Sequence, residues 1–175
     1  MSVKKVTYKL NLNKLGLSNV TAKKEAMKEV GEFLKITILD YVGDIKTPVK
    51  GGSYKKSLSP AYKKFKDDMA SPVPNMELTG DMLDKLTYTI DTRTGIVEIG
   101  IFDSDEAQKA DNHNKFSVES LGTDVPARQF IPKNGRDEFR DDIIREVKGI
   151  IDDYKSDTDN TSSQIRGLIR SIITE

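Results

Sequence analysis

Tyr88-Thr-Ile-Asp-Thr-Arg-Thr-Gly-Ile-Val-Glu-Ile-Gly-Ile101 is the stretch on which the fold turns. Tyr88 and Ile90 on one side, and Val97, Ile99 and Ile101 on the other, alternate with polar or small residues, the period of strands with one covered face. Asp91-Thr-Arg-Thr-Gly95 between them is turn chemistry, so the stretch is a β-hairpin. Its apolar stripe needs a partner. The nearest long one is Phe139, Ile143, Val147, Ile150 and Tyr154, spaced by four, four, three and four residues, which predicts a helix with one apolar face. Asn134 with Asp137 three positions on has the spacing of a capping box and is expected to open it. The two stripes are predicted to pack on each other.

Before the hairpin, Val6, Tyr8, Leu10 and Leu12 alternate with polar residues and read as an edge strand or arm. Thr21 is placed to cap a helix from about 22 to 42, in which Ala26, Val30, Phe33 or Leu34, and Ile38 recur at helical steps and Gly43 is the stop. Asp44 to Leu58 holds Pro48 and the Gly51-Gly52 pair and reads as a basic loop. Ser59-Pro60 is a helix start followed by Tyr62, Phe65 and Met69, ended by Pro72 and Pro74. Thr79 caps a short turn bearing Met82, Leu83 and Leu86. Beyond the hairpin, Asp103 or Ser104 caps a short helix with Ala107 and Ala110, and the loop Gly122–Pro126 leads into an extended Arg128–Pro132. The expected division is a domain over 1–155 and a tail over 156–175, in which polar residues 156–163 are a linker and Ile165, Leu168, Ile169 and Ile172 form one stripe of a short helix.

The composition bounds the chemistry. Of 175 residues, 36% are hydrophobic and 32% charged, the balance of a globular chain. No apolar run approaches the roughly 18 residues that span a bilayer, so no membrane contact is expected. The alternation at Tyr8 to Leu12 is unlike the apolar core of a secretion signal, and the protein is expected to stay in the cytoplasm where it is made. With no cysteine there is no disulfide, thiolate metal site or cysteine nucleophile. The net charge is zero, yet Lys and Arg dominate up to Lys66 and Asp and Glu beyond it. The two parts either form ordinary solvated faces, or mark opposite faces of a subunit that stacks on its neighbour or turns its basic part to DNA.

Catalytic signals are weak. His113 is the one histidine, near Asp103, Asp105, Glu106 and Asp111, but these acids lack calcium-loop spacing and there is no second histidine for zinc. Asp67-Asp68, Asp141-Asp142 and Asp152-Asp153 are adjacent, so on a helix they diverge by about 100° and cannot share a proton. Lys50-Gly-Gly-Ser-Tyr-Lys-Lys-Ser57 lacks nucleotide-loop spacing, and no serine sits in Gly-x-Ser-x-Gly. The expectation is a protein with no catalytic residue, metal or cofactor.

Four patterns in fixed order carry a resemblance. They are Thr47-Pro-Val-Lys-Gly-Gly-Ser-Tyr-Lys-Lys-Ser-Leu58, Leu58-Ser-Pro-Ala-Tyr-Lys-Lys-Phe-Lys66, Leu78-Thr-Gly-Asp-Met-Leu-Asp-Lys-Leu86, and Gly122-Thr-Asp-Val-Pro-Ala-Arg-Gln-Phe-Ile-Pro132. Together, over about residues 45–150, the chain resembles the tail-completion and virion-morphogenesis proteins of long-tailed bacteriophages. It departs from them at His113-Asn-Lys-Phe116 and in the tail after Tyr154. The resemblance implies an α+β subunit: a small antiparallel sheet with a β-hairpin packed against a long N-terminal and a long C-terminal helix, plus terminal arms. It implies a virion protein of the neck, a head-tail connector or tail terminator that forms a homo-oligomeric ring, a hexamer or dodecamer, at the head-tail junction. Its partners would be neighbouring neck, connector and tail proteins and, without sequence preference, the packaged DNA. Lys50, Lys55, Lys56 and Arg128 are the expected contacts to DNA or an acidic neighbour, and Ile165, Leu168, Ile169 and Ile172 the expected assembly contacts. A small cytoplasmic nucleic-acid-binding or regulatory protein is the alternative.

Overall fold

A computed structural model describes residues 5–18, 22–54, 64, 68, 81–114 and 128–156. Along the chain lie strand β1 (Val6–Asn11), helix α1 (Lys23–Gly43), the single turn α2 (Asp81–Asp84), strands β2 (Leu86–Asp91) and β3 (Ile96–Ile101), helix α3 (Ser104–Asn114), and helix α4 over 141–156. The three strands form one antiparallel sheet in the order β1-β3-β2. The architecture is therefore α+β, with the predicted hairpin as β2 and β3.

The register explains why the sheet needs a cover. Val6, Ile101 and Leu86 align across the strands, as do Tyr8, Ile99 and Tyr88, and Leu10, Val97 and Ile90. Alternation along each strand sends all nine to one face, leaving Thr7, Lys9, Glu98, Thr87 and Thr89 on the other. The apolar face joins Ala26, Met27, Val30, Leu34 and Ile38 of α1 in one cluster. A bare α-carbon at Gly31 lets the Tyr88 ring lie against α1, where a Cβ would clash with the ring carbons. In the hairpin turn, the Asp91 carboxylate accepts from the N–H groups of Arg93 and Thr94, at 3.0 and 3.3 Å, and from the Thr94 hydroxyl. Gly95 closes it at φ 70°.

Helix α4 runs antiparallel to α1. The Tyr41 hydroxyl donates to Asp142 at 2.8 Å near one end, and the Tyr154 hydroxyl donates to Glu29 at 2.8 Å near the other. The buried residues leading into and along α4 are Phe139, Ile143, Val147 and Ile151, at even steps of four, with Ile144 and Ile150 on the flanks. The stripe thus centres one residue beyond the predicted Ile150. Phe139 meets Tyr8 of β1 edge-on, with ring centroids 5.1 Å apart.

Several expectations change. Of the two readings of Val6–Asn11 the structure takes the edge strand and not the arm, since it ends the sheet and pairs with β3 along its full length. The long helix starts at Lys23, with Ala22 at the cap position and no side-chain cap, and Thr21 lies outside the described residues. The helix does end at Gly43, but the left-handed residue that closes it in a Schellman turn is Ile45, at φ 58°, rather than the glycine. There Lys46 N–H bonds Tyr41 O and Ile45 N–H bonds Val42 O, which satisfies two terminal carbonyls. Asn134 caps no helix, because residues 134–140 are not helical and α4 begins at 141. Gly135 at φ 73° turns the chain away, and Phe139 pairs with Val49 instead. Asp103 does cap α3, accepting from Asp105 and Glu106 N–H groups at 3.0 and 3.1 Å. Of the expected helix after Ser59-Pro60 only Lys64 and Asp68 are described, both helical, while the Thr79 cap, the loop Gly122–Pro126 and the whole tail after Ser156 lie outside the described residues.

Candidate functional site

The segment after α1 is fastened on both sides. Lys50 N–H bonds Glu138 O at 2.8 Å and Arg140 N–H bonds Pro48 O at 2.9 Å, around the Val49 to Phe139 bridge. Further on, Gln129 N–H bonds Ser53 O at 2.9 Å, the Gln129 side-chain oxygen accepts from Ser53 N–H at 2.9 Å, and Tyr54 bridges Arg128. Helix α3 supplies the third side. His113 O accepts from Arg128 N–H at 2.8 Å, and the Asn114 side-chain oxygen accepts from Phe130 and Ile131 N–H at 3.0 and 3.3 Å. Three stretches without regular pairing thus satisfy one another's backbone groups, which burial requires.

This knot sets where the predicted contact residues sit. Lys50 is exposed at the tip, and its ammonium lies 2.7 Å from Asp141. The hydrogen bond and charge of Asp141 hold its pKa above the usual lysine value. Arg128 is only 3% exposed, so the arginine expected to meet DNA is held within the knot rather than on a contact surface. Lys55, Lys56, Ile165, Leu168, Ile169 and Ile172 lie outside the described residues. Nor do the basic and acidic parts of the chain fall wholly apart: Lys5 pairs with Glu98 at 2.6 Å and Lys50 with Asp141, each joining one part to the other.

His113 lies against the knot. Burial, then the nearby Arg128 charge, push its imidazole down to about 4. Its Nδ1 meets no hydrogen-bond partner among the described residues. Near neutrality the ring is an uncharged, poorly basic group. Among the described residues no three His, Cys, Asp or Glu side chains are grouped to hold a metal ion.

An open depression of about 570 Å³ beside β1 is lined in part by Thr7, Asp111, Asn114, Gln129, Asn134 and Arg136. The amides of Asn114, Gln129 and Asn134 are each spent on backbone groups of the fold. What they build is a support, not a ligand-facing constellation. Asn114, Gln129 and Asn134 are the residues that the sequence reading passed over as site-builders, since a lone amide has no period to betray it.

Glu98, on the open face of the sheet, is pushed up by burial, but the Lys5 and Thr7 hydrogen bonds and the Lys5 charge outweigh this and hold it below the usual carboxylate range. No helix among the described residues is long and apolar enough to cross a membrane. Comparison of the chain with family models, curated proteins and solved structures finds no match.

Proposed function

We propose that the chain is a non-enzymatic structural subunit of a tailed bacteriophage virion, in the neck or tail-completion region, where copies assemble as a ring at the head-tail junction. One observation supports this most. The first and fourth of the patterns that carry the resemblance, at Thr47–Tyr54 and Arg128–Pro132, interlock through the Ser53 and Gln129 hydrogen bonds across 76 positions of sequence. Short patterns shared by chance have no reason to meet in register, whereas segments of one structural unit do. The interlock also presents Lys50 and Gly51 at an exposed tip, in keeping with a rigid loop that meets a neighbour.

The nucleic-acid-binding alternative draws on the basic part of the chain, and the pairing of Lys5 and Lys50 with acids weakens it. Mass photometry and negative-stain electron microscopy of the full chain separate the two. Rings of uniform diameter are expected. Particles without rings that shift DNA mobility in a strongly salt-dependent way would replace this reading with the alternative.

A further inference from the structure

The two edges of the sheet are finished differently. At β1 the Asn134 side chain plays the part of a further strand: its oxygen accepts from Lys9 N–H at 2.7 Å and its nitrogen donates to Thr7 O at 2.9 Å. Thr7 and Lys9 therefore turn their backbone groups away from β3, and Val6, Tyr8 and Leu10 turn theirs toward it. With the regular register, β3 uses Ile101, Ile99 and Val97 toward β1, and Gly100, Glu98 and Ile96 toward β2. These bond Thr87, Thr89 and Asp91. The N–H and C=O groups of Tyr88 and Ile90 are thus left pointing outward from β2, and no described residue pairs with them. Thr87 and Thr89 are exposed, Tyr88 and Ile90 half-buried. An edge that holds no proline or bulge and that no described side chain covers invites another strand.

We propose that this edge docks β2 of a second copy of the chain, the two strands running antiparallel about a two-fold axis at Tyr88 and merging two sheets into one. The strand is complementary to itself in that register. Tyr88 exchanges both backbone bonds with its counterpart, Leu86 lies opposite Ile90, Thr87 opposite Thr89, and exposed Lys85 opposite exposed Asp91. Shifting by two residues one way sets Lys85 against Arg93; shifting the other way leaves Asp91 facing Leu83. Continuing the sheet head to tail would instead need the β1 edge, where Asn134 stands. A two-fold contact closes after two copies, so it is separate from the head-to-tail contact of a ring and does not rest on the proposed function.

The test reads the register rather than a particle size. The chain has no cysteine, so Thr87→Cys and Thr89→Cys each introduce one thiol on the exposed face of β2. In the proposed register residues 87 and 89 of opposite copies form a non-hydrogen-bonded pair, where Cβ atoms come close enough for a disulfide. Mild oxidation of the two variants mixed together is expected to give a covalent dimer, and oxidation of either alone none. Lys85→Glu in the otherwise unchanged chain is expected to raise the dimer dissociation constant by roughly tenfold, because two attractive pairs become repulsive. No cross-link in the mixture, equal cross-linking of each variant alone, or a dissociation constant indifferent to Lys85→Glu would each overturn the proposal.

Discussion

The core between sheet and helices and the knot around Ser53, Arg128 and Gln129 are built by opposite means. In the core, regular elements satisfy their own backbone groups and are joined by apolar side chains: Val97, Ile99, Ile101, Leu34, Ile38 and Val147 are fully or almost fully buried. In the knot the backbone itself makes the joints, with amide side chains filling in where no strand is available. Burial is non-directional and tolerant of small shifts, while a hydrogen bond fails over a fraction of an ångström. The core is therefore the source of stability and the knot the source of definite geometry.

The largest expected effect is in the core. Val147→Asp puts a carboxylate without a partner into a position of zero exposure beside Ile143 and Ile151. An uncompensated buried charge costs roughly 3–5 kcal/mol, and lost packing adds to it, which together reach much of the stability of a small domain. The variant is expected to be insoluble or unfolded by circular dichroism. A soluble protein with an unchanged melt would place the α4 stripe outside the core.

The same contrast explains what could be read from the sequence. Tyr88, Val97 and Ile99 announced the hairpin because strand period and burial coincide, and Ala26, Val30, Leu34 and Ile38 announced α1 for the same reason with a different period. The α4 stripe was legible to within one residue, the difference between Ile150 and the buried Ile151 being a small rotation of the helix. The start of α4 was not legible. Asn134 offers the chemistry of a helix cap, but its amide reaches β1 instead, and Phe139 is drawn into a bridge with Val49, a residue 90 positions away. Arg128 looked like a surface cation because charge is normally solvated, yet the backbone pairing of its segment carries it inward. Local chemistry says what a residue can do; which partner takes it up is decided by segments far along the chain.

A middle-sized effect should come from the knot through pH. The His113 pKa falls to about 4 in the fold, below the ordinary histidine value, so folding favours the neutral ring. Stability from this group is fully present above about pH 6.5 and drains away as pH falls toward 4, by up to about 3 kcal/mol in all. The carboxylates of Asp103, Glu98 and Asp142, whose pKa values are lowered in the fold, lose their contributions as pH falls through the usual carboxylate range, from about pH 5 downward. The window between about pH 6.5 and 5 therefore belongs to His113. Urea denaturation across that window is expected to show a loss of stability in the wild type that His113→Gln flattens. Parallel pH profiles for the two proteins would mean that the ring is not buried against Arg128.

The smallest effect is expected where the knot meets the sheet. Asn134→Ala removes an acceptor for Lys9 N–H and a donor for Thr7 O, both at the exposed edge of β1. Each bond contributes about 0.5–1.5 kcal/mol net, and water can replace much of what is lost at an exposed site, so a total near 1 kcal/mol is expected. Asn134→Asp keeps the acceptor but turns a carboxylate oxygen toward the Thr7 carbonyl, so it should be no better than alanine. The more telling readout is local. Amide hydrogen exchange at Lys9 should speed up in the Ala variant, which loses the acceptor, while Tyr8 and Leu10, which bond β3, stay protected. Uniform acceleration along the whole of β1 would show that the side chain secures the strand itself; unchanged exchange at Lys9 would show that the amide does not stand in for a strand at all.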